Sequence, residues 1–144
     1  MTNRPEIVEE SPRHLRMSLA AAMTLGFKRG LFYRKARLYC INLLLTYTDG
    51  CLARCAYCGL SNRRPGAYGK KSFIRVSWPT YPLEEIITRI GERKDRINRI
   101  CISMVTRKRA VAHTRYVCEQ LRSAFDIPVS LLISPTVLNR QDLL

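Results

Sequence analysis

The chain lacks any long apolar run. Its longest apolar stretches, Ile41–Leu45 and Val129–Ile133, are strand-sized, whereas a membrane-spanning helix takes about 20 predominantly apolar residues. Met1–Glu10 carries acids and no apolar core, so the beginning does not read as a secretory signal. Both features lead us to expect a soluble, cytoplasmic protein with no membrane partner. Histidine is scarce: His14 and His113 are the only two, and both lie far in sequence from the Cys51–Cys58 stretch. There is one tryptophan, seven glycines and seven prolines, with no internal repeat and no low-complexity tract, which argues against solenoid and disordered classes. Acidic residues are also few, 11 against 25 Lys and Arg, for a formal net charge of +14.

What remains is a chain of 144 residues with 47% hydrophobic content, the make-up of one folded domain. The basic excess suits a polyanion such as RNA, or a solvated surface flanking a site for anionic substrates. The cations are spread along the chain, in short pairs such as Arg63-Arg64 and Lys70-Lys71. With no long basic run, nucleic acid is not the expected partner.

Hydrophobic spacing divides the chain into elements. Ser11-Pro12 resembles a helix start, and Leu15, Leu19, Ala22 and Met23 follow at helical spacing up to Gly26, so a helix is expected over Pro12–Leu25. Ile41–Tyr47 is apolar on both faces, as a buried parallel strand is. Phe73–Val76 suggests a short extended piece. Pro82–Arg93 predicts a helix with acids first and bases last, Ile97–Met104 a strand, Ala110–Phe125 a helix and Pro128–Ser134 a strand. Asn139–Leu144 reads as the opening of another helix. Strand and helix alternate after the first helix, implying βαβ units and a parallel sheet.

Three of the six cysteines crowd into eight residues, Cys51-Leu52-Ala53-Arg54-Cys55-Ala56-Tyr57-Cys58. Thiolates are the soft ligands preferred by iron–sulfur clusters and zinc. A structural zinc site wants four closed ligands, and no fourth Cys or His is close in sequence. Three ligands leave one metal position open for chemistry. The loop directly follows a buried strand, at the strand end where α/β folds place their sites.

With Tyr57 just before the last cysteine, this loop resembles the signature of the radical S-adenosylmethionine superfamily. The resemblance implies that Cys51, Cys55 and Cys58 hold three irons of a 4Fe–4S cluster whose fourth iron binds S-adenosylmethionine, and that Tyr57 contacts the adenine. It implies reductive cleavage to a 5′-deoxyadenosyl radical, with a reductant such as ferredoxin or flavodoxin. The stretches Ser11–Tyr33, Tyr39–Tyr47, Arg54–Leu60 and Lys71–Pro82 are similar to biotin synthase-like and lipoyl synthase-like members, most of all to archaeal-type two-component lipoyl synthases. That branch would make the chain a transferase inserting sulfur into an octanoyl chain on a carrier or lipoyl-domain protein. It would work with a second synthase subunit and an auxiliary iron–sulfur cluster outside this chain.

The fold so implied is α/β: the N-terminal half of a partial (βα)6 TIM-like barrel. Residues 1–38 would form a helical extension, and 39–144 an incomplete barrel of three strands carrying the cluster loop, 48–60. A whole barrel of six βα units needs on the order of 200 residues, so a C-terminally truncated chain or half of a split protein is expected.

The chain also departs from the family pattern. The Gly-Gly-Glu run after the second strand is missing; Ser103-Met104-Val105-Thr106 stands there. Ser103, Thr106 and Ser134 are weak hydroxyl candidates for contacts to S-adenosylmethionine, and ordinary loop capping explains them equally well. Cys40 begins the first strand, more than about 20 Å from the loop at ~3.3 Å per residue, and so cannot share its cluster. Cys40, Cys101 and Cys118 are expected in the core. Arg63, Arg64, Lys70 and Lys71 read as solvated or as contacts to a carboxylate or an acidic carrier. The competing reading is a zinc- or cluster-stabilised basic module that binds RNA.

Overall fold

The computed structural model describes residues 8–66, 71 and 76–143. In chain order its elements are β1 (His14–Met17), α1 (Leu19–Thr24), β2 (Cys40–Leu45), β3 (Thr80–Pro82), α2 (Leu83–Gly91), β4 (Arg99–Ser103), α3 (Lys108–Ala124) and β5 (Val129–Leu132). Single 3-10 turns lie at Tyr33–Lys35, Lys94–Arg96, Pro135–Val137 and Arg140–Leu143. Among the described residues no helix is long and apolar enough to cross a membrane.

The strands form one five-stranded mixed sheet in the order β3-β1-β2-β4-β5. β2, β4 and β5 run parallel, with Leu43 beside Ile102 and Ile102 beside Leu131. β1 lies antiparallel to both β2 and β3. Ile41, Leu43, Ile100 and Ile102 are fully buried, in one core with Leu83, Ile86 and Ile90 of α2 and Val117 and Leu121 of α3. The alternate positions Cys40, Asn42, Cys101, Ser103 and Ser130 are only half-buried. Side chains alternate across a strand, so this part of the opposite face is uncovered.

This architecture corrects the expected fold: the chain is not the N-terminal half of a (βα)6 TIM-like barrel. Such a barrel is all-parallel, whereas here the antiparallel β1 flanks β2 and β3 extends the sheet beyond it. The helix expected over Pro12–Leu25 is likewise replaced by β1 and the shorter α1. Leu15 and Met17 are buried because both neighbouring strands pair with β1, and Ser18 caps α1, its Oγ accepting the Ala21 N–H at 3.2 Å. Ser11 is no helix cap; its Oγ donates to the His14 carbonyl and accepts from Thr46 N–H, each at 3.0 Å, which seats β1 against the end of β2. β2, α2, β4, α3 and β5 fall within two residues of the expected bounds, whereas no strand was expected where β3 lies. Of the extended piece expected at Phe73–Val76, all but Val76 lies outside the described residues.

On the face shared by Leu44 and Arg16, Lys71 and Trp78 approach the sheet. Arg16 is 2% exposed. Its guanidinium donates to the Trp78 carbonyl at 2.8 Å and to the Lys71 carbonyl.

Gly26 closes α1. Its φ is +76°, and a Cβ there would meet Arg93 Nη2 at 2.7 Å. The left-handed conformation costs an L-residue about 1–2 kcal/mol. Gly26→Ala is therefore expected to lower the unfolding free energy by about that much in urea titration, with Gly66→Ala, also at positive φ but in open space, as the comparison free of the Arg93 clash.

Candidate functional site

The loop after β2 is built on a tight turn and braced from α3. Gly50 adopts φ +69°, a left-handed conformation glycine takes freely, and its N–H donates to the Tyr47 carbonyl at 3.1 Å. Arg107, just before α3, donates through Nε to the Gly50 carbonyl at 2.7 Å and pairs with Asp49 at 3.1 Å. Arg109 reaches the Asp49 carboxylate at 2.7 Å. Neither arginine was singled out from the sequence. They lie more than fifty residues from the loop they hold, and no local pattern marks such a partner.

The loop then closes on itself. Cys51 N–H donates to the Leu60 carbonyl at 3.2 Å, and Asn62 N–H to the Cys51 carbonyl at 2.8 Å. Between these bonds lie Cys55 and Cys58, joined by a turn in which Cys58 N–H donates to the Cys55 carbonyl at 3.2 Å. Cys51 is buried, Cys58 half-buried and Cys55 exposed, and all three thiols are free. Burial pushes the Cys58 thiol up; the negative charges of Cys51 and Cys55 add to this, while the Leu60 backbone and Arg64 pull it down. Among the described residues no three Cys, His, Asp or Glu side chains are already gathered to hold a metal ion. The donor set fits a cluster in type and in sharing one loop. Binding would have to draw the three sulfurs together.

One of the hydroxyl residues named from the sequence comes to this loop, through its backbone. Thr106 N–H donates to Cys51 Sγ at 3.3 Å, and its carbonyl accepts Leu52 N–H at 3.2 Å. Its hydroxyl lies 2.7 Å from that of Ser134. Thr106 and Ser134 follow β4 and β5, so parallel pairing carries their residues to the same end of the sheet as the loop after β2. Ser103 ends β4 half-buried, beside Leu44 and Leu132 on the uncovered face. The Tyr57 ring is 86% exposed. Comparison of the chain with family models, curated proteins and solved structures returns no match.

The basic residues around the loop divide by role. Arg64 donates to the Ala56 carbonyl at 3.0 Å, and Lys71 Nζ to the carbonyls of Ser61 and Arg64 at 2.8 and 2.6 Å. These two cations brace the loop backbone as well as charging it. Arg63 is exposed, and Lys70 lies outside the described residues. The α3 N-terminus adds positive potential at the same end of the sheet, partly offset by the Asp49 carboxylate paired with Arg107 and Arg109.

Behind the loop, Tyr47 is fully buried and its hydroxyl lies 2.9 Å from His113 Nδ1. Arg109 stacks over the Tyr47 ring at 4.4 Å and comes within 3.7 Å of Glu10. Burial lowers the His113 pKa, Arg109 lowers it further, and Glu10 opposes them. Burial works to raise Glu10, but the Thr48 hydroxyl and amide, Arg109 and His113 together hold it below the usual carboxylate value. Both groups are easier to protonate in the unfolded chain than in the folded one. Their contributions are present above the unfolded values and lost as pH falls through the folded ones. Stability is therefore expected to decline from about pH 6.5 downward in urea titrations across pH. A His113→Gln variant should lack the first part of that decline; an unchanged profile would show that His113 does not contribute.

Proposed function

We propose that Cys51, Cys55 and Cys58 bind three irons of a 4Fe–4S cluster and that the protein acts on S-adenosylmethionine. The observation carrying this reading is the placement of three free thiols on one loop after a buried parallel strand, with a backbone N–H already directed at Cys51 Sγ. When bound, the cluster would supply the electron for reductive cleavage of S-adenosylmethionine to a 5′-deoxyadenosyl radical.

The chain's own residues would do the rest. Thr106 N–H stabilises charge on the Cys51 sulfur. Arg64, Lys71 and the N-terminal end of α3 provide positive potential for an anionic cluster and for a ligand carboxylate. The exposed Tyr57 ring is available to adenine, and the hydroxyls of Ser103, Thr106 and Ser134 to polar groups of the ligand. On the resemblance noted from the sequence, we propose sulfur insertion into an acyl chain as the reaction, with ferredoxin or flavodoxin as reductant and a lipoyl-domain protein as carrier.

Anaerobic reconstitution with iron and sulfide tests the reading. About four irons per chain are expected, with an EPR signal from the reduced protein that changes on adding S-adenosylmethionine. One tightly bound zinc and no iron would overturn it. Salt-sensitive RNA retention by the iron-free chain would then favour the basic module.

A further inference from the structure

Outside the cysteine loop the sheet brings two more thiols together. Cys40 opens β2 and Cys101 lies on β4, and their sulfurs are 3.0 Å apart. They are diagonal neighbours, since Cys40 pairs with Arg99 and Cys101 with Asn42. Both were expected in the core, yet both are half-exposed on the uncovered face of the sheet. The apolar positions that alternate with them, Ile41, Ile100 and Ile102, take the core face instead. Among the described residues no third Cys, His, Asp or Glu joins the pair to complete a metal site.

We propose that Cys40 and Cys101 form a thiol–disulfide exchange site that small anionic disulfides oxidise to a Cys40–Cys101 bond. The two sulfurs must approach by only about 1 Å to reach bonding distance. Arg99, on the same face beside Cys40, gives the site a positive charge that attracts a carboxylate-bearing disulfide. Burial, reinforced by the Cys101 sulfur, pushes the Cys40 thiol up to about 11. Either sulfur can attack first.

With Cys101 attacking first, the exchange balances in two steps. The Cys101 thiolate attacks one sulfur of the small disulfide, forming a mixed S–S bond and expelling one small thiolate. Cys40 then releases its proton and attacks the Cys101 sulfur, forming the protein disulfide and expelling the second small thiolate. Two protein thiols are oxidised, one small disulfide is reduced to two thiols, and the protons from the cysteines pass to the leaving groups. The proposal uses none of Cys51, Cys55 and Cys58, so it stands or falls separately from the cluster.

The test uses the full reduced chain and glutathione disulfide as probe, with alkylation of remaining thiols and peptide mapping. A Cys40–Cys101 linked peptide, lighter by two hydrogens than the separate thiols, is expected, while Cys118 remains alkylatable. Cys40→Ser should trap a stable glutathione adduct on Cys101. Arg99→Glu should slow the reaction about tenfold with glutathione disulfide and leave its rate with neutral hydroxyethyl disulfide unchanged. Independent glutathione adducts on both cysteines of the unsubstituted chain would overturn the proposal, as would linkage of either one to a loop cysteine.

Discussion

Replacing any one of Cys51, Cys55 and Cys58 by Ser is expected to take the reconstituted protein from about four irons per chain to nearly none, and 5′-deoxyadenosine formation under dithionite to background. The expected effect is large because the ligand set has no reserve. In the proposed arrangement three thiolates from one loop would hold the cluster, and no other cysteine is placed to replace a lost one. Cys40 and Cys101 are engaged with each other at 3.0 Å, and Cys118 sits on α3 against the core. A hydroxyl is a harder ligand and a poor substitute for a thiolate on iron. Cys118→Ser serves as the control and should retain full iron. Full iron in any single loop variant, or iron loss in the control, would count against the cluster. Iron retained by the unsubstituted chain without 5′-deoxyadenosine would identify a cluster protein lacking the radical chemistry.

Arg16→Leu is expected to lower the unfolding free energy by about 3 kcal/mol. Arg16 occupies the middle of the four-residue β1 and is buried, although a cation is stable there only with partners. Its guanidinium donates to the carbonyls of Trp78 and Lys71, joining β1 to both residues. Hydrogen bonds from a charged group contribute about 1.5–3 kcal/mol each, and a buried acceptor left unpaired adds its own desolvation penalty. Leucine recovers part of this through apolar contact. Arg16→Lys keeps the charge but loses the planar fork, so its cost should fall between those of the unsubstituted chain and the leucine variant. Urea titration measures all three, and a leucine variant as stable as the unsubstituted chain would show that these bonds are not structural.

Much of the β2–β5 region was legible from the residues. α2 repeats Leu83, Ile86 and Ile90 at helical spacing with acids in its first turn, and a pattern of this kind is complete within three turns of chain. Gly26 could be recognised as a helix terminator for the same reason: its left-handed φ is a local backbone demand. β1 was not legible. Four residues cannot establish a period, and Leu15 and Met17 are buried only because β2 and β3 lie on either side. The helical spacing of Leu15 and Leu19 arose across the join between a strand and a helix.

The cysteine loop with which the functional argument begins was determined by the sequence alone. The spacing of Cys51, Cys55 and Cys58, and their position just after an apolar strand, follow from chain connectivity over a few residues. Tertiary structure alone decided what surrounds that loop and what shape carries it. Arg107 and Thr106 reach it because parallel pairing of β2 and β4 brings their C-terminal ends together. The same pairing sets Cys40 against Cys101 across 61 residues. The antiparallel β1 makes the sheet mixed rather than barrel-forming, since strand direction is fixed by long-range hydrogen bonding that no local pattern records.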